Sequence, residues 1–166
     1  RYYYRVVTGN LTSDIYDFII PPDPISESSF KIVAMSDMQR DNSNPNKFEE
    51  IVHDGIITYI GDNFFGDIPF DLQMVLVPGD LVDNGWSYSQ WANTFFAPAH
   101  PLFAHVPVYP VLGNHESDTE YYFDYFHFPE NGTPGYEKHW WYTDYSNLRV
   151  VGLDSNPGYQ LDVQLD

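Results

Sequence analysis

Apolar runs that stop abruptly at glycine or polar residues set the pattern of this chain. Phe30-Lys31-Ile32-Val33-Ala34-Met35 ends in Ser36-Asp37, Leu72 to Val77 opens into Pro78-Gly79-Asp80, and Val106 to Leu112 runs into Gly113-Asn114. Short bounded runs of this kind are typical of strands buried on both faces. Between them the period changes. Phe48 to Ile60 spaces Ile51, Val52, Ile56, Tyr59 and Ile60 mainly at helical intervals, with Gly55 as its weak point. Tyr88 to Phe103 gives a second helical stretch, interrupted by Pro98 and Pro101. Strand, helix, strand, helix, strand in this order predicts an α/β fold, and strand ends in such sheets are where ligands and catalytic groups collect.

The flanks read differently. Tyr2 to Thr8 and Ile15 to Ile20 are aromatic and β-branched and predict two short strands around Gly9-Asn10. Residues 21–29 contain three prolines, which donate no hydrogen bond and restrict their neighbours, so this stretch reads as a linker. Residues 1–20 then form the tail of an upstream β-module or an edge hairpin, and residues 30–166 the main domain. Toward the other end, Ser117 is positioned to cap a short helix through Phe126. Trp140 to Tyr145 and Leu148 to Leu153 predict a hairpin around Ser146-Asn147, and Gln160 to Asp166 the beginning of a helix.

Composition narrows the function. The 166 residues are 43% hydrophobic and 18% aromatic, which excludes a disordered acidic chain despite a net charge of −17. That charge repels phosphate backbones, so broad nucleic-acid binding is not expected, and an anionic substrate would need cations held locally. Cysteine is absent, which removes disulfides, thiolate metal sites and Cys nucleophiles. No apolar run reaches membrane-spanning length. Asn10-Leu11-Thr12 and Asn131-Gly132-Thr133 fit the glycosylation pattern and are compatible with an extracytoplasmic or secreted protein.

The three strand ends carry the candidate chemistry. Carboxylate, amide and imidazole together suit Mn, Fe, Zn or related ions. Asp80, between Gly79 and Gly85, is the candidate to bridge two ions roughly 3.5–4 Å apart. Asp37 and Gln39 are oxygen donors for one ion and Asn114 for the other. His115 is the general-acid candidate, able to protonate a departing alkoxide near neutral pH. The attacking group is then a hydroxide formed from coordinated water.

At these residues the sequence resembles the calcineurin-like metallophosphoesterase family, whose pattern runs DxH, GDxxxxG, then GNHE or GNHD. Gly79 to Gly85 and Gly113-Asn114-His115-Glu116 match in full. The resemblance covers roughly Lys31 to Asp166, including Val151-Gly152-Leu153-Asp154-Ser155. It implies a four-layer α/β/β/α sandwich, here incomplete, with a dinuclear centre acting on a phosphate ester. It puts Asp37 and Gln39 at first-metal positions, Asp80 at the bridge, Asn114 at a second-metal position and His115 at the catalytic acid. The strands before a proline-rich linker are also similar to purple acid phosphatases. Three departures stand out. Gln39 replaces the commonest His, Asp83 stands where a purple enzyme has Tyr, and the family's later metal-binding histidines have no counterpart after His139. The chain therefore reads as a domain truncated before those motifs.

A competing reading is a noncatalytic, acidic, aromatic-rich module that binds metal or carbohydrate and keeps the motifs as vestiges. Glu116 and Asp154 read as supporting or structural residues. His53, His100, His105, His127 and His139 lie outside every motif and read as structural. Tyr121-Tyr122-Phe123-Tyr125-Phe126 and Trp140-Trp141 read as packing.

Overall fold

The computed structural model describes residues 1–159 and 161–165. Four short strands open the chain: β1 (Tyr2–Tyr4), β2 (Val7–Thr8), β3 (Leu11–Thr12) and β4 (Tyr16–Phe18). β1 pairs with β4 and β2 with β3, both antiparallel, so the expected two strands are one hairpin broken midway. The break falls where Val6 and Ser13 bond each other through backbone and side chain in place of a regular ladder. The hairpin is tied to the rest of the chain by polar contacts. Tyr4 donates to the Ala104 carbonyl at 2.8 Å, His105 Nδ1 lies 2.7 Å from Asp17 Oδ1, and Arg1 pairs with Asp17 and Asp67.

The body is built on a parallel sheet of β5 (Ile32–Ala34), β6 (Met74–Val77) and β7 (Val108–Pro110) in the order β5-β6-β7. The central strand has the unbroken apolar run, and Met74, Val75 and Val77 are fully enclosed, as a two-faced burial requires. β7 is shorter than its apolar run because Pro107 and Pro110 bound it. An edge strand tolerates prolines that a central one would not. The register Val33↔Val75 and Val75↔Val108 aligns all three strands, so their carboxyl ends emerge together at one edge.

Helices cover this sheet. The first runs continuously through α1 (Lys47–Glu50), a π-helical stretch Ile51–Ile57 and α2 (Thr58–Asn63), and α3 (Ile68–Asp71) is one added turn before β6. The second passes from α4 (Tyr88–Gln90) through a π-helical stretch Trp91–Phe96 into α5 (Ala97–Phe103). The expected interruptions at Pro98 and Pro101 do not break it: Pro98 stands where the π-helical stretch passes into α5 and Pro101 lies inside α5, each removing one helical N–H while the helix continues to Phe103. α6 (Glu120–Tyr125) is capped by Thr119, not Ser117, because the Thr119 hydroxyl accepts from the Tyr121 N–H while Ser117 and Asp118 take left-handed turn conformations. Tyr122 on α6 and Phe126 just after it enter the core beside Trp91 and Phe95, as expected for packing. β8 (Trp141–Tyr145) and β9 (Leu148–Gly152) form the expected hairpin. Trp141 stacks on Phe128 and packs against Tyr109 of β7, joining this hairpin to the body. α7 (Leu161–Leu165) follows, and the ends of the stretch expected to be helical there, Gln160 and Asp166, lie outside the described residues. Among the described residues no helix is long and apolar enough to cross a membrane.

Candidate metal centre

Each parallel strand delivers one of the three motifs to the same edge. After β5 comes Ser36-Asp37 and after β6 Gly79-Asp80, and both aspartates take positive φ, 56° and 54°. Asp tolerates this conformation better than most residues, and it turns the chain sharply out of the strand. The two turns are joined, since the Met38 N–H donates to the Asp80 carbonyl at 2.9 Å. The Ser36 hydroxyl donates to the exposed Asp37 carboxylate at 2.5 Å.

The second and third motifs interlock more closely still. Glu116 is fully buried, and its carboxylate accepts four backbone N–H groups: Leu81 at 2.8 Å and Val82 at 3.2 Å on Oε1, Asp80 at 3.1 Å and Gly113 at 2.8 Å on Oε2. Burial pushes this carboxyl up from its ordinary range, opposed by the same four donors. The His115 N–H donates to Asp80 Oδ1 at 3.2 Å, and the Gly85 N–H to the His115 carbonyl at 3.0 Å. Glycine is required at the crossing, because a Cβ on Gly113 would fall 2.1 Å from Asp80 Oδ1 and one on Gly85 2.2 Å from the Glu116 carbonyl. The loops therefore hold Asp80 and His115 against each other without a side chain between them.

His115 is half-buried, and its Nδ1 lies 2.8 Å from the Asp83 carbonyl. A carbonyl only accepts, so Nδ1 carries the proton and Nε2 is left as the nitrogen that titrates. The Asp83 carbonyl raises the imidazole pKa above its ordinary value. Partial burial opposes this, and the negative potential of Asp80, Asp83 and Glu116 adds to it.

Gln39 supplies a test of whether a cation suits this edge. Its Oε1 is buried and has no hydrogen-bond partner among the described residues. An amide oxygen in that state carries a desolvation cost that a bound cation would remove. Gln39 and Asp37 line a cleft of about 420 Å³ together with Arg40, Asp41 and Lys47. Asp80, Asn114 and His115 do not line this cleft. They stand on the adjoining loops, and Asn114 is exposed at the tip of its turn.

The sequence profile of the calcineurin-like phosphoesterases matches residues 30–162. The chain belongs to that family. Its metal dependence and phosphoester chemistry are features of the family as a whole, and the match spans all three strand-end motifs. Among solved structures, the chain is similar to purple acid phosphatase PPD1 isolated from yellow lupin (Lupinus luteus) seeds, with a TM-score of 0.62 and 22% identity. That similarity covers 90% of this chain and 29% of the lupin chain, and it supports the mixed α/β fold with its leading strands. No curated protein matches the chain.

A further group comes together that the motifs do not announce. Asp118, His139 and Asp154 each offer one ligand atom within 4.8 Å of the others. They are far apart in sequence, and no fixed spacing could have signalled the cluster.

Proposed function

We propose that this domain hydrolyses a phosphate ester at a dinuclear metal centre, with ions of the Mn, Fe or Zn class. Asp37 and Gln39 would hold one ion, Asn114 the other, and Asp80 would lie between them. Such ions, when bound, neutralise phosphoryl oxygens and make coordinated water acidic.

The chain's own residues have distinct tasks in this reading. Asp80 is kept in register by the Glu116 carboxylate, which holds the Asp80 N–H, and by the His115 N–H on its side chain. His115, with Nδ1 committed to the Asp83 carbonyl, would deliver a proton from Nε2 to the departing alkoxide. In the ion-free protein the Asp83 carbonyl and the carboxylates of Asp80, Asp83 and Glu116 raise its pKa, which favours the proton-bearing imidazole. The observation that carries the proposal is the direct lock between the Gly79 to Gly85 loop and the Gly113 to Glu116 loop, which presents a carboxylate and an imidazole at one strand edge.

The test is the Asp80→Asn variant of the complete protein, assayed for metal-dependent release of the alcohol from an aryl phosphate. The substitution preserves an oxygen for the His115 N–H and so should preserve the fold. Turnover is expected to vanish, and undiminished turnover would refute the reading.

A further inference from the structure

The cluster of Asp118, His139 and Asp154 shares no residue with the strand-edge group assigned above, and its three members come from three segments. Asn156 adjoins both groups, its Nδ2 donating to Asp154 Oδ1 at 2.9 Å and lying 3.4 Å from the Leu112 and Gly113 carbonyls. Asp118 lies in the turn before α6, His139 in the loop before β8, and Asp154 two residues after β9. His139 Nδ1 is 3.2 Å from Asp154 Oδ2 and 3.9 Å from Asp118 Oδ1. Adjacent ligands of a tetrahedral ion with bonds of about 2.0–2.2 Å are separated by roughly 3.3–3.6 Å. The two separations from His139 bracket that spacing, and the two carboxylates lie within 4.8 Å of each other.

The surroundings favour a cation here. Asp154 is 0% exposed, and no Lys or Arg among the described residues pairs with it. Its Oδ1 accepts from the Asn156 backbone and side-chain amides, both at 2.9 Å. Among the described residues its Oδ2 has one hydrogen-bond partner, His139 Nδ1. A buried carboxylate is costly unless hydrogen bonds and a neighbouring charge offset it; Asn156 and His139 supply hydrogen bonds here, and a metal ion would supply the charge. The other two members are held as ligands usually are. The Tyr159 hydroxyl donates to Asp118 Oδ2 at 2.8 Å, leaving Oδ1 turned to His139, and the His139 ring is flanked by Phe123 and Tyr159.

We infer that Asp118, His139 and Asp154 form a further binding site for a divalent cation of the Zn²⁺ type, clamping the turn before α6 to the end of the β8–β9 hairpin. The nitrogen and two carboxylate oxygens fit Zn²⁺, with a fourth position left to water. The alternative arrangement is the His139–Asp154 hydrogen bond with no ion.

The experiment is Zn²⁺ uptake by the protein, measured by dialysis and elemental analysis for the wild type and for Asp118→Asn, His139→Gln and Asp80→Asn. Asp118 is exposed and, among the described residues, its carboxylate accepts one hydrogen bond, from the Tyr159 hydroxyl, so its variant should keep the wild-type circular dichroism even if His139→Gln does not fold. The expected result is that Asp118→Asn loses one Zn²⁺ per chain that Asp80→Asn retains, and that Co²⁺ at this site gives visible bands of tetrahedral intensity that follow the same pattern. Equal uptake by wild type and Asp118→Asn overturns the inference and leaves the His139–Asp154 hydrogen bond without an ion. Loss of the same ion in Asp80→Asn also overturns it, by making the two sites one. The strand-edge reading stands or falls separately, on turnover by Asp80→Asn.

Discussion

Glu116 Oε2 accepts the backbone N–H of Asp80 at 3.1 Å, so the last residue of one motif fixes the carboxylate at the heart of another. Oε1 of the same side chain takes Leu81 and Val82, and Oε2 also takes Gly113. Glu116→Gln keeps the shape but turns an NH₂ group toward two of these four donors. Buried donors left without an acceptor cost roughly 1–3 kcal/mol each, so a loss of about 2–6 kcal/mol in unfolding free energy is expected. Urea denaturation checks it, and an unchanged midpoint would remove Glu116 from this role.

Gly113 lies under Asp80 so tightly that an alanine Cβ would meet Asp80 Oδ1 at 2.1 Å. Gly113→Ala must therefore displace the carboxylate, and a shift on the order of 1 Å can lower turnover about a hundredfold. Aryl phosphate hydrolysis by the complete protein, measured beside a fold control, tests this. Normal turnover would mean that the two loops adjust freely.

The orphaned Gln39 Oε1 separates stability from metal binding. Without metal, Gln39→Leu removes a buried unsatisfied oxygen and should leave the protein as stable or more so, by up to roughly 1–3 kcal/mol. With saturating Mn²⁺, the wild type should gain thermal stability and the variant clearly less. Equal gains in both proteins would show that Gln39 is no ligand.

His115 predicts a pH dependence whose sign follows from its raised pKa. In the metal-free protein its imidazole should titrate above the ordinary histidine value of about 6.5, with Nε2 as the titrating nitrogen. The folded state holds this proton more tightly than the unfolded one. The resulting stability is fully present below the unfolded pKa and disappears as pH rises through the folded pKa. Histidine NMR across neutral pH measures this directly, and a value at or below that of free histidine would contradict it.

By itself the sequence determined the three apolar strands, the two long helices, the β8–β9 hairpin and the motifs at the strand ends. These rest on local properties: unbroken apolar runs, helical spacing, and glycines where the chain must turn. Local signals did not settle where partners meet. Ser117 looked like the cap of α6, yet the turn conformation of Ser117 and Asp118 handed that position to Thr119. Glu116 read only as a supporting residue, because its four donors belong to chain up to 36 positions away. His139 read as structural because its partners Asp118 and Asp154 lie in other segments. Only the tertiary structure decided these contacts, since the packing of α6 and the hairpin against the parallel sheet sets which polar groups lose water together and must satisfy one another.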